Sequence, residues 1–214
     1  MRVSIDMNNP WLDIPLADYE AHMLLPNVGQ AQLLSDIFAD ALEHFAPKSV
    51  AVLGCAGGNG FDRISAQKIE RIVGVDINPE YINQLRARFA SRLPGLELIV
   101  ADIEQDSLAI SPVDLLFAAL VFEYIDVEIV IPKIHSMLRP GGAVITVLQL
   151  PSATLPDITP TEYTKLNAVS SVMKLIVPDK LERVFSACGF HQIDSWRAKV
   201  PGGKGFQVQN FRRV

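Results

Sequence analysis

Apolar positions along the chain alternate between short unbroken runs and stretches spaced at three and four residues, and this alternation predicts an α/β protein. Runs dominated by Val, Ile, Leu and Ala lie at Ser49–Leu53, Arg71–Val75, Leu96–Ala101, Asp114–Ala118 and Ala143–Leu148. Such runs fit strands covered on both faces, as in a parallel sheet. From Gly29 to Phe45, Leu33, Leu34, Ile37, Phe38, Leu42 and Phe45 recur at helical spacing and mark one buried face. A helix is expected from the glycines after the first run to about Lys68. Asn78 and Pro79 read as the N-cap and first residue of another helix ending near Ser91. Pro132 predicts a kink or a late start in the helix before the fifth run. Residues 1–26, with Pro10, Pro15 and Pro26, are expected to be irregular.

Beyond Leu150 the pattern changes. Pro151, Pro156 and Pro160 break up a loop, and Thr161 to Ile176 is expected to be a helix with Tyr163, Leu166, Val169, Val172 and Met173 as its apolar face. Pro178 to Cys188 reads as a further helix, closed by Gly189. His191–Lys199, a turn over 201–205 and Phe206–Val214 then predict a terminal hairpin.

Composition narrows the function. With 214 residues, 49% apolar and 20% charged, the chain can bury a sizeable core. Its net charge of −5 argues against a nucleic-acid substrate, which favours a basic face. The longest apolar run, Leu115 to Phe122, is far too short to span a bilayer, so no membrane association is expected. Cys55 and Cys188 cannot form a disulfide framework, and Asp6 and Asp13 interrupt any leader-like stretch near the N-terminus. A cytoplasmic protein is expected.

The candidate chemistry sits where the first two runs end. Val50 to Gly60 reads Val-Ala-Val-Leu-Gly-Cys-Ala-Gly-Gly-Asn-Gly, and the second run ends on Asp76, 22 residues beyond Gly54. Glycine serves where backbone approaches a ligand closely, and a carboxylate on the next strand tip can accept hydrogen bonds from two ribose hydroxyls. The dinucleotide pattern G-x-G-x-x-G fails here at Ala56 and Asn59, whereas G-x-G-x-G loses only its middle glycine, to Ala56. This loop and acid resemble the cofactor site of class I S-adenosylmethionine-dependent methyltransferases. The resemblance continues through Leu96–Ile103, Val113–Ile125 and Met137–Val147, the last containing Leu-Arg-Pro-Gly-Gly before a strand.

That resemblance implies a Rossmann-like, doubly wound, seven-stranded, mostly parallel sheet with a C-terminal antiparallel hairpin. It implies S-adenosylmethionine as cofactor and S-adenosylhomocysteine as product. Gly54, Cys55, Ala56, Gly58, Asp76 and Ile77 would hold the methionine and ribose parts. Asp102 and Ile103 would meet the adenine, and Ala118 and Ala119 would line the transfer face. One domain over 1–214 is expected: an N-terminal cover and helix (1–46), a cofactor-binding core (47–150), a cap (151–177) and a closing helix with hairpin (178–214).

The acceptor is less defined, because a sulfonium carries its methyl group already activated and the family needs no common catalytic residue. Tyr124, Tyr19 and His22 are the candidate catalytic groups, and the Met, Leu, Val and Tyr content of Leu155 to Ile176 suggests a cover for a small, partly apolar acceptor. Two other readings stay open. Val52, where many relatives carry an acid, and Ala56 suit a family member that binds the cofactor without catalysis. A nicotinamide-dependent reductase is the weaker alternative, since Tyr163-Thr164-Lys165 lacks the Y-x-x-x-K spacing.

Overall fold

The computed structural model describes residues 9–214. Its strands are β1 (Ser49–Leu53), β2 (Arg71–Asp76), β3 (Leu96–Val100), β4 (Val113–Ala119), β5 (Leu138–Gln149), β6 (Phe190–Lys199) and β7 (Gly205–Arg213). They form one seven-stranded sheet in the order β3-β2-β1-β4-β5-β7-β6. The first five run parallel, and β7 is antiparallel to both β5 and β6. The helices are α1 (Leu16–Leu24), α2 (Gln30–Phe45), α3 (Pro79–Phe89), α4 (Val127–Met137) and α5 (Pro178–Ala187).

Both faces of the sheet are covered, and the side-chain alternation of β1 shows how. Val50 and Val52 pack with Phe38 of α2 and Leu85 of α3. Ala51 and Leu53 pack with Ile134 of α4 and Phe185 of α5. The second layer is fixed by Phe185, fully buried and stacked on Phe211 of β7 at 4.2 Å. Strand order reverses direction of growth between β1 and β4, which opens a crevice beyond their carboxyl ends.

Three segments depart from the expectations, each for a local reason. No α-helix follows the glycine loop; a single 3-10 turn, Phe61–Arg63, replaces the helix expected to reach Lys68. Gly54, Ala56, Gly58 and Gly60 all take left-handed φ values, of +64°, +44°, +92° and +83°. A left-handed residue at every second position prevents the repeating αR geometry of a helix. Phe61, Ile64 and Ile69 anchor the segment to the core instead. Thr161 to Ile176 holds a 3-10 run, Thr164–Ser171, rather than an α-helix. There Ser170 and Ser171 donate side-chain hydrogen bonds to the carbonyls of Asn167 and Ala168, competing with helical bonding. Residues 9–26 are not irregular, because Pro15 and Pro26 flank α1 instead of interrupting it; residues 1–8 of that stretch lie outside the described residues. Pro132 sits inside α4, which starts on time at Val127 behind the Asp126 N-cap.

Gly58 is a fold position. A Cβ there would meet Phe89 Cε2 of α3 at 2.8 Å, on a backbone already left-handed. Gly58→Val is therefore expected to cost about 2–5 kcal/mol, combining overpacking with the left-handed penalty of a β-branched residue. Urea unfolding measures this, and a variant as stable as the parent would contradict the packing of the loop on α3.

Candidate functional site

The ends of four adjacent strands surround one cleft of about 530 Å³, within the ordinary range for a small-molecule site. Register explains the convergence: Leu53 pairs with both Val75 and Ala118, and Asp76 pairs with Val100. Gly54, Asp76, Asp102 and Ala119 consequently emerge at the same edge and line the cleft. The strand tips approach so closely at Gly54 that a Cβ would lie 2.5 Å from Val121 Cγ2.

Asp76 organises this edge. One carboxylate oxygen accepts from the Ala56 N–H at 2.8 Å and the other from the Asn78 N–H at 2.9 Å. Asn78 in turn caps α3 through the Glu80 N–H at 2.9 Å. The Asp76 carboxyl lies only 8% exposed, and burial pushes its pKa up to about 6 against the opposing pull of these N–H donors. Each oxygen keeps a further lone pair for a ligand. Asp102 accepts from the N–H groups of Glu104 and Gln105 at 2.8 and 3.1 Å, which shapes the turn after β3.

The cleft brings together Gly54, Ala56, Asp76, Ile77, Asp102, Ile103 and Ala119 of the candidate cofactor residues. Cys55, Gly58 and Ala118 do not line it. Cys55 is buried behind the loop, where its thiol pKa is raised by burial and its Sγ packs near Gly74. Ala118 of β4 is fully buried in the core that the sheet forms with α4 and α5. Val52, whose lack of a carboxylate was notable, belongs to the core beneath the site and does not line the cleft.

The candidate catalytic residues divide. Tyr19 and Tyr124 line the cleft, each set edge-on to Trp11, with centroids 5.8 and 5.1 Å away. Burial raises the pKa of both hydroxyls, and nearby carboxylates (Asp76 for Tyr19, Glu123 for Tyr124) add to the rise, so both stay protonated at neutral pH. His22 is buried outside the cleft, with Nδ1 2.9 Å from Thr161 Oγ1. Burial and the nearby Lys204 lower its pKa.

Sequence reasoning missed Trp11, Tyr81, Glu123 and Lys204. Tyr81 stacks on Tyr19 at 6.1 Å and donates its hydroxyl proton to the Ile14 carbonyl at 3.0 Å. Glu123 is 1% exposed; one oxygen accepts from the Gln149 N–H at 2.7 Å and the other has no hydrogen-bond partner among the described residues. Only the in-line resemblance of Phe122-Glu123-Tyr124 to a strand-end loop marked this place. The burial of the carboxylate comes from long-range packing.

Comparison with known proteins gives this geometry a family context. Residues 51–146 match the methyltransferase domain family. An S-adenosylmethionine-dependent methyltransferase from Mesorhizobium loti is similar in structure, with a TM-score of 0.62 at 17% identity, over 81% of this chain and 96% of its own. The N-methyltransferase NodS from Bradyrhizobium japonicum, solved with S-adenosyl-L-homocysteine, gives a TM-score of 0.62 at 19% identity, over 98% and 94% of the two chains. The cyclase SpnF gives 0.66 at 14% identity, over 86% and 80%. No curated protein matches the chain in sequence. Residues 51–146 thus resemble a methyltransferase domain, and the chain shares the fold of these class I methyltransferases, including its C-terminal antiparallel strands.

Buried carboxyls give the site a pH signature. Glu123 has its pKa pushed by burial from an ordinary 4.5 up to about 7, and Asp76 rises in the same direction. A carboxyl raised in the folded state binds protons that the unfolded chain has released, so its contribution is complete below about pH 4 and is lost as pH rises to about 7. For Glu123 the difference, 7 − 4.5, amounts to an upper bound of roughly 3 kcal/mol. Unfolding free energy from urea melts is expected to fall between pH 5 and 7.5, and to fall less steeply in Glu123→Gln. An identical slope in that variant would show that Glu123 is ionised throughout.

Proposed function

We propose that this chain is an S-adenosylmethionine-dependent methyltransferase acting on a small molecule. The observation that carries this reading is the convergence of Gly54, Asp76 and Asp102 on one cleft beneath an aromatic cover. The donor set suits the cofactor: an acid at the β2 tip for ribose hydroxyls, a second after β3 for the adenine amino group, and Ile77 and Ile103 as apolar walls for the base. Bound there, S-adenosylmethionine would supply a methyl carbon on a sulfonium, open to direct in-line displacement.

The protein's own part is positioning and exclusion of water, which can supply on the order of 7–11 kcal/mol of a displacement barrier. Trp11, Tyr19 and Tyr124 close one side of the cleft as a T-shaped aromatic cluster. Protonated Tyr19 and Tyr124 are hydrogen-bond donors and shape the cavity; they do not serve as bases at neutral pH. The cover is held from below by the Asn78 side-chain amide, which donates to the Trp11 carbonyl at 2.8 Å. Arg88 of α3 reinforces it by pairing with Glu20 and donating to the Gly57 carbonyl at 3.1 Å.

A small-molecule acceptor is favoured by the enclosed aromatic approach and by the packing of residues 161–172 against it: Leu166 and Val169 join Ile14, Trp11 and Tyr19 in one cluster. No helix among the described residues is long and apolar enough to cross a membrane. Free Cys55 and Cys188 fit a reducing compartment, in keeping with a cytoplasmic enzyme. The cyclase on the same fold keeps a reading without methyl transfer in view, and methylation of any compound in a metabolite panel excludes it.

Asp76→Ala is expected to weaken S-adenosylhomocysteine at least tenfold by calorimetry, since hydrogen bonds to a charged acceptor are worth about 1.5–3 kcal/mol each. It should also cost roughly 1–3 kcal/mol of stability, because the Ala56 and Asn78 N–H groups lose their acceptor. Calorimetry is therefore done well below the variant's melting temperature. Parental affinity in the folded variant would refute the ribose assignment, and binding of NAD in place of S-adenosylhomocysteine would refute the cofactor.

The cover itself should open and close. Among the described residues its cluster buries only Ile14, Leu166 and Val169 and joins a main core through Tyr19 alone, so its local stability is low. Amide exchange over residues 9–24 and 161–176 is expected to slow at least tenfold with S-adenosylhomocysteine, while β1 and β4 barely change. Equal protection with and without the ligand would make both segments plain core.

A further inference from the structure

A second, smaller cavity of about 60 Å³ lies beside the cleft. Trp11, Tyr19, Leu120 and Tyr124 line both spaces and form the partition between them. One water needs about 10–15 Å³ on this measure, so the chamber accommodates a group of roughly four heavy atoms. Met23, Leu166, Val169 and Met173 supply apolar lining, while His22, Gln149, Asp157 and Lys204 supply polar lining.

Lys204 is the unusual member. It sits in the turn entering β7, where a lysine ordinarily extends into water, yet it is only 4% exposed. Its Nζ donates one hydrogen bond, to the Asp157 carbonyl at 2.7 Å, and that carbonyl also accepts from Gln149 Nε2 at 2.8 Å. An ammonium has three protons to donate. No carboxylate of the described residues forms an ion pair with it; burial lowers its pKa, and the Asp157 carboxylate, close enough to act but not to pair, raises it only in part. A buried cation with no counter-ion in contact is costly, and proteins seldom keep one without a directly bonded partner of opposite charge. His22 beside it is held in its neutral form and adds no second charge.

We propose that this chamber is the acceptor subsite, that it takes the carboxylate of a small carboxylic-acid acceptor, and that Lys204 is the counter-charge. The inference rests on the large cleft being the cofactor site. Lys204 lines the chamber and not the cleft, so the group it holds is an anchor and not the atom that is methylated. The rest of the acceptor passes the Trp11, Tyr19 and Tyr124 rings to present its nucleophile near Leu120. A neutral ester or amide in the same place would leave the ammonium buried and unpaired, which gives the chamber its selectivity.

Acetate serves as the probe, titrated by saturation-transfer NMR into the full chain with S-adenosylhomocysteine present, with methyl acetate as the uncharged control. Acetate is expected to bind and methyl acetate not. Lys204→Gln, which keeps a donor for the Asp157 carbonyl but removes the charge, should weaken acetate at least tenfold while S-adenosylhomocysteine affinity stays parental. Met173→Phe, which fills the chamber from another element without touching the charge, should also expel acetate. Equal binding of acetate and methyl acetate, or parental acetate binding in both variants, would overturn the subsite and leave the cofactor reading standing. A parent protein that binds acetate but no S-adenosylhomocysteine would overturn the cofactor reading and the acceptor role together.

Discussion

The arrangement of the site depends on the pair of hydrogen bonds that Asp76 accepts from Ala56 and Asn78. Through them a single buried carboxyl ties the glycine loop, the tip of β2 and the start of α3 into one rigid corner. The bond to Ala56 matters most. Ala56 has a left-handed φ of +44°, which an alanine adopts only at a cost of about 1–2 kcal/mol. A charge-assisted bond of comparable worth holds it there. A glycine at this place would need no such support, so the departure from the family's G-x-G-x-G pattern is offset by the acid it faces.

From that corner the cover is assembled almost entirely by α3 and its cap. Asn78 holds the Trp11 carbonyl, Tyr81 holds the Ile14 carbonyl and stacks on Tyr19, and Arg88 grips both Glu20 and the loop carbonyl of Gly57. The helix nearest Asp76 is therefore also the platform for the aromatic cover. A shift of the glycine loop that follows ligand binding would reach the cover through Arg88 and Asp76 without any separate linkage.

The five parallel strands, the Asn78-Pro79 helix start and the terminal hairpin were legible in the sequence because each depends on local signals. Buried β runs, an N-cap and a Pro-Gly-Gly turn need no knowledge of distant residues. The missing helix after Gly60 was not legible, since a glycine-rich stretch is compatible with either a helix N-terminus or a chain of left-handed turns; the anchoring of Phe61, Ile64 and Ile69 decides it. The 3-10 run at Thr164–Ser171 shows the opposite limit, where helical apolar spacing is present but Ser170 and Ser171 compete for the backbone. The cleft-lining acids were legible from strand ends. The burial of Glu123 and Lys204 was not, because a charged residue in a turn reads as solvated until the fold encloses it.

Those two residues share a setting that bears on how the domain divides its labour. Glu123 accepts from the Gln149 N–H, the Gln149 side chain donates to the Asp157 carbonyl, and Lys204 donates to that same carbonyl. A buried acid and a buried base thus sit on one hydrogen-bonded chain at the carboxyl end of β5, without forming an ion pair among the described residues. Packing alone would favour apolar residues here, as it does throughout the two main cores. On the cleft side of the aromatic cover, by contrast, each Asp76 oxygen already accepts one backbone hydrogen bond and keeps a lone pair for a ligand. The carboxylate of Asp76 is thus partly satisfied by the protein itself, whereas the space beyond Tyr124 carries buried charged groups whose cost a ligand would relieve.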